Sequence, residues 1–105
     1  MTQKEIQVAK VLKEKLSAVV PLVDFRVFGS RARGDAQEYS DLDIFVEVPF
    51  LDENLDEQIQ HAAWEVGLEH MIFISVVIFT QHDIEHTPLK SSPIVRNIME
   101  EGIRI

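Results

Sequence analysis

The sequence predicts a single α/β (α+β) domain, a small mixed β-sheet flanked by helices. Three observations lead there. Apolar residues switch along the chain between helical and strand spacing, in the order helix, strand, loop, strand, helix, strand, helix, helix. The length of 105 residues holds one hydrophobic core and not two, so residues 1–105 are expected to form one domain. Hydrophobic residues make up 46% and charged residues 27%, the balance of a folded chain rather than a disordered one.

The elements follow in order. Ile6, Ala9, Leu12, Leu16 and Val20 recur at helical spacing with lysines and Glu14 between them, which predicts an amphipathic helix stopped by Pro21. Val23–Phe28 reads as a strand with partial alternation. Gly29–Ser40 is polar, carries two glycines and has no regular period. At about 12 residues it is too long for a tight hairpin, and loops of that size in small domains tend to carry function.

Leu42–Val48 alternates as a second strand and Pro49 ends it. Acidic residues from Asp52 to Asp56 suit the positive end of a helix, and Leu55, Ile59, Ala62, Ala63 and Val66 continue it to a stop at Gly67. Met71–Phe79 is apolar on both faces and β-branched, which predicts a buried central strand. Thr80 and Asp83 have the spacing of a weak capping box for a short helical turn that Thr87-Pro88 breaks. Ser92-Pro93 opens a last helix that Gly102 closes, and Ile103–Ile105 is either a short edge strand or a frayed end.

Composition narrows the function. There is no cysteine, which excludes disulfides, cysteine-ligated metals and thiol catalysis. Ten basic residues against eighteen acidic ones leave a net charge of −8, poorly suited to coating nucleic acid or an anionic membrane. No segment approaches the ~20 apolar residues of a membrane span, and no signal-like stretch follows Met1. A cytoplasmic protein is the expectation.

The chemistry is concentrated between Phe28 and Ile44, in FGSRARGDAQEYSDLDI. Asp41 and Asp43 stand two apart at the start of a strand, so both point to one face. Two such carboxylates repel unless a cation lies between them, and magnesium favours one or two carboxylates completed by phosphates and water. Gly29-Ser30 directly follows a strand; glycine permits close approach of a phosphate, and the hydroxyl and local N–H groups can bind it. Arg31 and Arg33 add positive charge beside that turn. Together these residues describe a nucleoside-triphosphate site whose α-phosphate is the electrophile. The same residues would equally serve a charged loop closed on itself by Arg–Asp pairs, each worth ~0–1 kcal/mol.

The run Gly29-Ser30-Arg31-Ala32-Arg33-Gly34, followed by Ser40-Asp41-Leu42-Asp43-Ile44, resembles the nucleotidyltransferase signature of the polymerase β superfamily. The short length, the spelling GSRARG and the ending from Thr87-Pro88-Leu89 to Glu101-Gly102-Ile103 resemble its minimal nucleotidyltransferases. The resemblance implies a polymerase β-like nucleotidyltransferase fold and transfer of AMP from ATP with two magnesium ions. It implies that Asp41 and Asp43 are catalytic and bind the metals, and that Gly29, Ser30, Arg31, Arg33 and Ser40 surround the triphosphate, Arg33 chiefly as a brace of the loop. It also implies the antitoxin role of a toxin–antitoxin pair, with a HEPN-domain toxin as partner and a tyrosine of that toxin as acceptor.

One feature departs from the family. Its active members carry a third carboxylate on a later strand, which activates the attacking hydroxyl. Here that strand is Phe73–Ile78, with Ser75 as its one polar residue and Glu69 just ahead of it. Losing a general base typically costs ~10²–10⁴ in rate. The rival expectation is therefore a catalytically weakened binding module that neutralises a HEPN toxin by complex formation. Transfer to a small molecule is a third reading, disfavoured because the chain has no room for an acceptor domain. The acidic surface suits a basic protein partner, and homo- and hetero-oligomers both remain open.

Other features read as structure. His82 and His86 stand four apart, as on an exposed helical turn. Trp64 is expected in core or partner-facing packing, and Tyr39 as a loop anchor rather than a base-stacking ring.

Overall fold

The computed structural model describes residues 1–105. Helix α1 (Gln3–Ser17) is opened by Thr2, whose hydroxyl accepts the Glu5 N–H while the Glu5 carboxylate accepts the Thr2 N–H. This capping box satisfies two of the helix's orphan donors. The buried stripe is Glu5, Val8, Ala9, Leu12 and Leu16. It is rotated from the expected one: Val8 replaces Ile6, and a carboxylate joins the apolar face.

Strand β1 (Asp24–Phe28) runs directly into a short helix, α2 (Gly29–Arg33), closed by Gly34 in the left-handed region. A segment with no apolar period is thus helical in its first half, because the tight turn at Gly29 and not an amphipathic stripe starts it. Strand β2 (Leu42–Val48) has the expected bounds.

Helix α3 (Glu53–His70) starts on Asp52 and runs one turn past Gly67, ending on Met71 with φ 57°. Gly67 is a packing residue rather than a stop: a Cβ there would lie 2.5 Å from the Ile72 carbonyl oxygen, which accepts no side chain at that spot. The chain turns back over this helix end, and the Ile72 N–H donates to the Gly67 carbonyl at 3.0 Å.

Strand β3 (Ile74–Thr80) leads through a Thr80/Asp83 capping box into α4 (Gln81–His86). A 3₁₀ turn (Pro88–Ser91) and helix α5 (Pro93–Glu101), capped by Ser92, follow. Strand β4 (Ile103–Arg104) ends the chain as a short edge strand.

The sheet order is β3-β2-β1-β4, with β1 antiparallel to β2 and β4, and β2 parallel to β3. The sheet is mixed, as expected, but β3 is an edge strand and not a central one. Its apolar pattern misled because the strand is half-exposed on both faces, with Ile74, Val76 and Ile78 only partly buried against the core. One face of the sheet (Phe25, Val27, Ile44, Val46, Ile74, Val76) packs under α1 and α3 in a single core. The opposite face carries Asp43, Phe45 and Ser75, and α5 covers part of it with Val95 and Ile98.

Candidate active site

The β1–α2 turn and the start of β2 come together because Phe28, the last residue of β1, pairs with Asp43. Gly29 follows at φ 75°, a backbone state that costs an L side chain ~1–2 kcal/mol. It is buried, and a Cβ on it would collide with the Asp43 carboxylate at Oδ2. Glycine is thus required twice here, for the turn and for the approach of the carboxylate. Every other helix of the fold has a side-chain cap: Thr2, Asp52, Thr80, Thr87 and Ser92. Helix α2 has none, so the N–H groups of its first turn, beginning at Gly29-Ser30, are left for an external acceptor.

Asp41, just ahead of β2, is exposed, and Asp43 is half-buried within its charge's reach. Burial pushes the Asp43 carboxyl above its usual range, the neighbouring Asp41 charge pushes it further, and Arg33 partly offsets both. Two carboxylates held this way favour a bound cation, which would relieve both penalties.

The arginines and Ser40 serve the loop. Arg31 donates to Glu5 Oε2 at 2.6 Å, to the Ser40 carbonyl at 2.9 and 2.5 Å, and to the Glu38 carbonyl at 3.3 Å. Its guanidinium makes four bonds within the fold, the shortest charged one to Glu5, a buried carboxylate that needs a cation. Burial raises the Glu5 carboxyl, but bonds from Arg31 and Thr2 outweigh this and hold it below the usual range. The Ser40 hydroxyl accepts the Gln37 N–H at 2.9 Å, inside the loop. Arg33 is exposed and pairs with Asp35 and Glu101 at 3.2 Å each, which ties α2 to the end of α5. Glu5 was missed by sequence reasoning, although the spacing Thr2-x-x-Glu5 before an apolar stripe signals it.

Residues 6–105 match the family described as "Nucleotidyltransferase domain". The chain belongs to that family. No curated protein matches it closely enough to count as a relative. Among solved structures, this nucleotidyltransferase domain is similar to one described as a minimal nucleotidyltransferase, at 25% identity and TM-score 0.61, covering 99% of this chain and 97% of that one. It shares its fold with a toxin–antitoxin crystallised with AMP-PNP, at 21% identity and TM-score 0.61, covering 95% of this chain and 70% of that one. A doubly mutated form of the toxin–antitoxin MntA-HpeT gives 19% identity and the same TM-score, again over 95% of this chain and 70% of that one.

The register locates the departure noted in the sequence. Ser75 stands directly beside Asp43 across the parallel β2–β3 pair, on the same face. Glu69 lies on α3, which packs against the opposite face, and its charge acts on Lys15 of α1. No group of three or more His, Cys, Asp or Glu side chains is arranged to hold a metal ion. Asp41 and Asp43 suffice for one magnesium completed by phosphate and water; a second has no third carboxylate to hold it. His82 and His86 face each other on α4 with ring centroids 5.4 Å apart, away from both aspartates in the chain's topology.

Proposed function

We propose that this domain binds ATP with magnesium at the Gly29–Asp43 junction and transfers AMP to a partner protein, as the antitoxin of a toxin–antitoxin pair with a HEPN toxin. The carrying observation is the contact itself: an uncapped α2 whose first residue is pressed against the Asp43 carboxylate. Phosphate donors and metal ligands thereby share one small space. Gly29, Ser30 and the first-turn N–H groups receive the triphosphate; Asp41 and Asp43 hold magnesium, which when bound neutralises charge developing on the phosphates. Arg33, the cation that lowers Asp43, keeps the loop in register. The names of two structural neighbours support this reading, one through AMP-PNP and one through an Asp-to-Glu double mutation at two positions spaced like Asp41 and Asp43.

Calorimetry of ATP binding with and without magnesium tests the site. Binding that requires magnesium and disappears in Asp41→Asn is expected. Absence of binding in both conditions would remove the enzyme reading.

A second reading, a weakened enzyme that neutralises its toxin by complex formation, is favoured by Ser75. Serine at that place supplies neither a metal ligand nor a base at neutral pH. Ser75→Asp should raise the rate of labelled-AMP transfer, by up to the ~10²–10⁴ a general base contributes. An unchanged rate would show that Ser75 does not limit the chemistry.

A further inference from the structure

A groove of about 990 Å³ lies at the end of the sheet where β2 begins. It is lined by Trp64 and Leu68 of α3, by Met71 and Phe73 ahead of β3, and by Glu38–Ser40, the loop that runs into Asp41. Trp64 is 62% exposed, Leu68 64%, Phe73 81%, Tyr39 84% and Met71 89%. Tyr39 is thus not the loop anchor expected from the sequence. A pocket for a small molecule is concave and covers most of its ligand. Here the large side chains stand out into water. They are tyrosine, tryptophan, phenylalanine and methionine, the types enriched where proteins meet. Monomers rarely leave such a patch uncovered.

The place of the groove beside the site says which protein covers it. β1 and β3 lie on opposite sides of β2. In the nucleotidyl-transfer reading the β1–α2 turn holds the phosphates that leave, and the α-phosphate lies over Asp43 on β2. An attacking oxygen stands in line with the leaving one, on the far side of the phosphorus. That is the β3 side. Ser75 stands there next to Asp43, and the Phe73 carbonyl accepts the N–H of Leu42, the residue between the two aspartates, at 2.8 Å. Neighbouring strands are ~4.8 Å apart, so the groove opens within one strand spacing of the aspartate-bearing backbone.

We propose that this groove docks the acceptor protein, through a segment with apolar side chains on either side of the accepting hydroxyl and basic residues beyond them. The inference rests on the nucleotidyl-transfer reading and adds the place and the chemistry of its acceptor. Charge within the groove is balanced: Glu5 pairs with Arg31, and Lys4 and Glu38 offset each other unpaired. The chain's net −8 then sets the sign, favouring a cationic protein and repelling nucleic acid. In the transfer the hydroxyl oxygen bonds to the α-phosphorus and the bond to the bridging oxygen breaks. Pyrophosphate leaves with that electron pair, and the hydroxyl proton passes to water.

Trp64 is the one tryptophan of the chain, so its fluorescence reports on the groove. His61 stacks on its ring at 5.9 Å, and the pH is therefore held constant. The probe is a synthetic peptide with one tyrosine flanked by leucines and ending in lysines; a second peptide has glycines and glutamates at those places. The first should shift Trp64 emission saturably to the blue and the second should not. Labelled-AMP transfer, measured with the wild type and with Ser75→Asp, should favour the first peptide at least tenfold in kcat/KM. Leu68→Glu and Phe73→Glu, both at exposed positions, should abolish the shift and raise the KM for that peptide at least tenfold, whereas Phe50→Glu, exposed elsewhere, should do neither. No shift with the leucine peptide overturns the proposal, as does a shift that survives both substitutions or that the acidic peptide or single-stranded RNA produces equally. Emission that moves with protein concentration alone assigns the groove to a second copy and overturns it too. A specific shift without transfer overturns the acceptor role. ATP calorimetry then separates the two readings: without ATP binding nucleotidyl transfer falls as well, and with it only the groove is lost.

Discussion

Asp43 is a residue on which function and stability pull in opposite directions. Its folded carboxyl lies above the usual range because burial and Asp41 disfavour the charge. A raised carboxyl binds its proton more tightly in the folded chain than in the unfolded one. The group therefore favours the fold below its unfolded value of ~3.9 and loses that advantage as pH rises through the folded value. Asp43→Asn should be more stable than the wild type at neutral pH without metal, with the gap closing on acidification; urea unfolding in a chelator at both pH values measures it. Gly29 pulls the other way. Gly29→Ala should cost about 2 kcal/mol or more, from the positive φ and the collision with Asp43, and should abolish metal-dependent ATP binding. Denaturation and calorimetry on one preparation test both effects. The paired aspartates and the glycine-serine turn were legible in the sequence because their chemistry is local. The bonding of Arg31 was not, since its partner Glu5 is 26 residues away in the chain.

Among the elements, boundaries set by side-chain chemistry were readable and those set by packing were not. The Ser92-Pro93 start of α5 and the Thr80/Asp83 box of α4 are short-range bonds, and both stand where their spacing puts them. Gly67 looked like a helix end and lies inside α3, because the returning chain at Ile72 needs the space of a missing side chain. Alanine is the better helix former by ~1 kcal/mol, so on propensity alone Gly67→Ala would stabilise. The opposite is expected: a methyl group 2.5 Å from the Ile72 oxygen must push the α3–β3 connection away, at about 1–3 kcal/mol. Chemical denaturation gives the sign directly, and a gain in stability would show that the connection yields.

At the scale of the molecule, one side chain joins distant parts of the chain. Arg31 links α1, α2 and the loop before β2, and it is the only ion-pair partner of a carboxylate on the buried face of α1. Arg31→Ala leaves that carboxylate uncompensated and should cost about 3 kcal/mol. Because Glu5 is held below its usual range, its contribution is present above the unfolded value of ~4.3 and lost as pH falls through the folded value. Arg31→Ala should remove that acid sensitivity, and a double-mutant cycle with Glu5→Gln over pH separates the pair from general destabilisation. By itself the sequence determined the fold class, the strand that bears Asp43 with Asp41 just ahead of it, and the turn beside it, since periodicity and signature are properties of neighbouring residues. Only the tertiary structure decided that β3 is an edge, that Arg31 bonds Glu5 and the Ser40 carbonyl, that Ser75 flanks Asp43, and that the large apolar side chains beside α3 lie open to water. Each of these depends on which distant segment arrives alongside, and the spacing of residues within a segment carries no information about that.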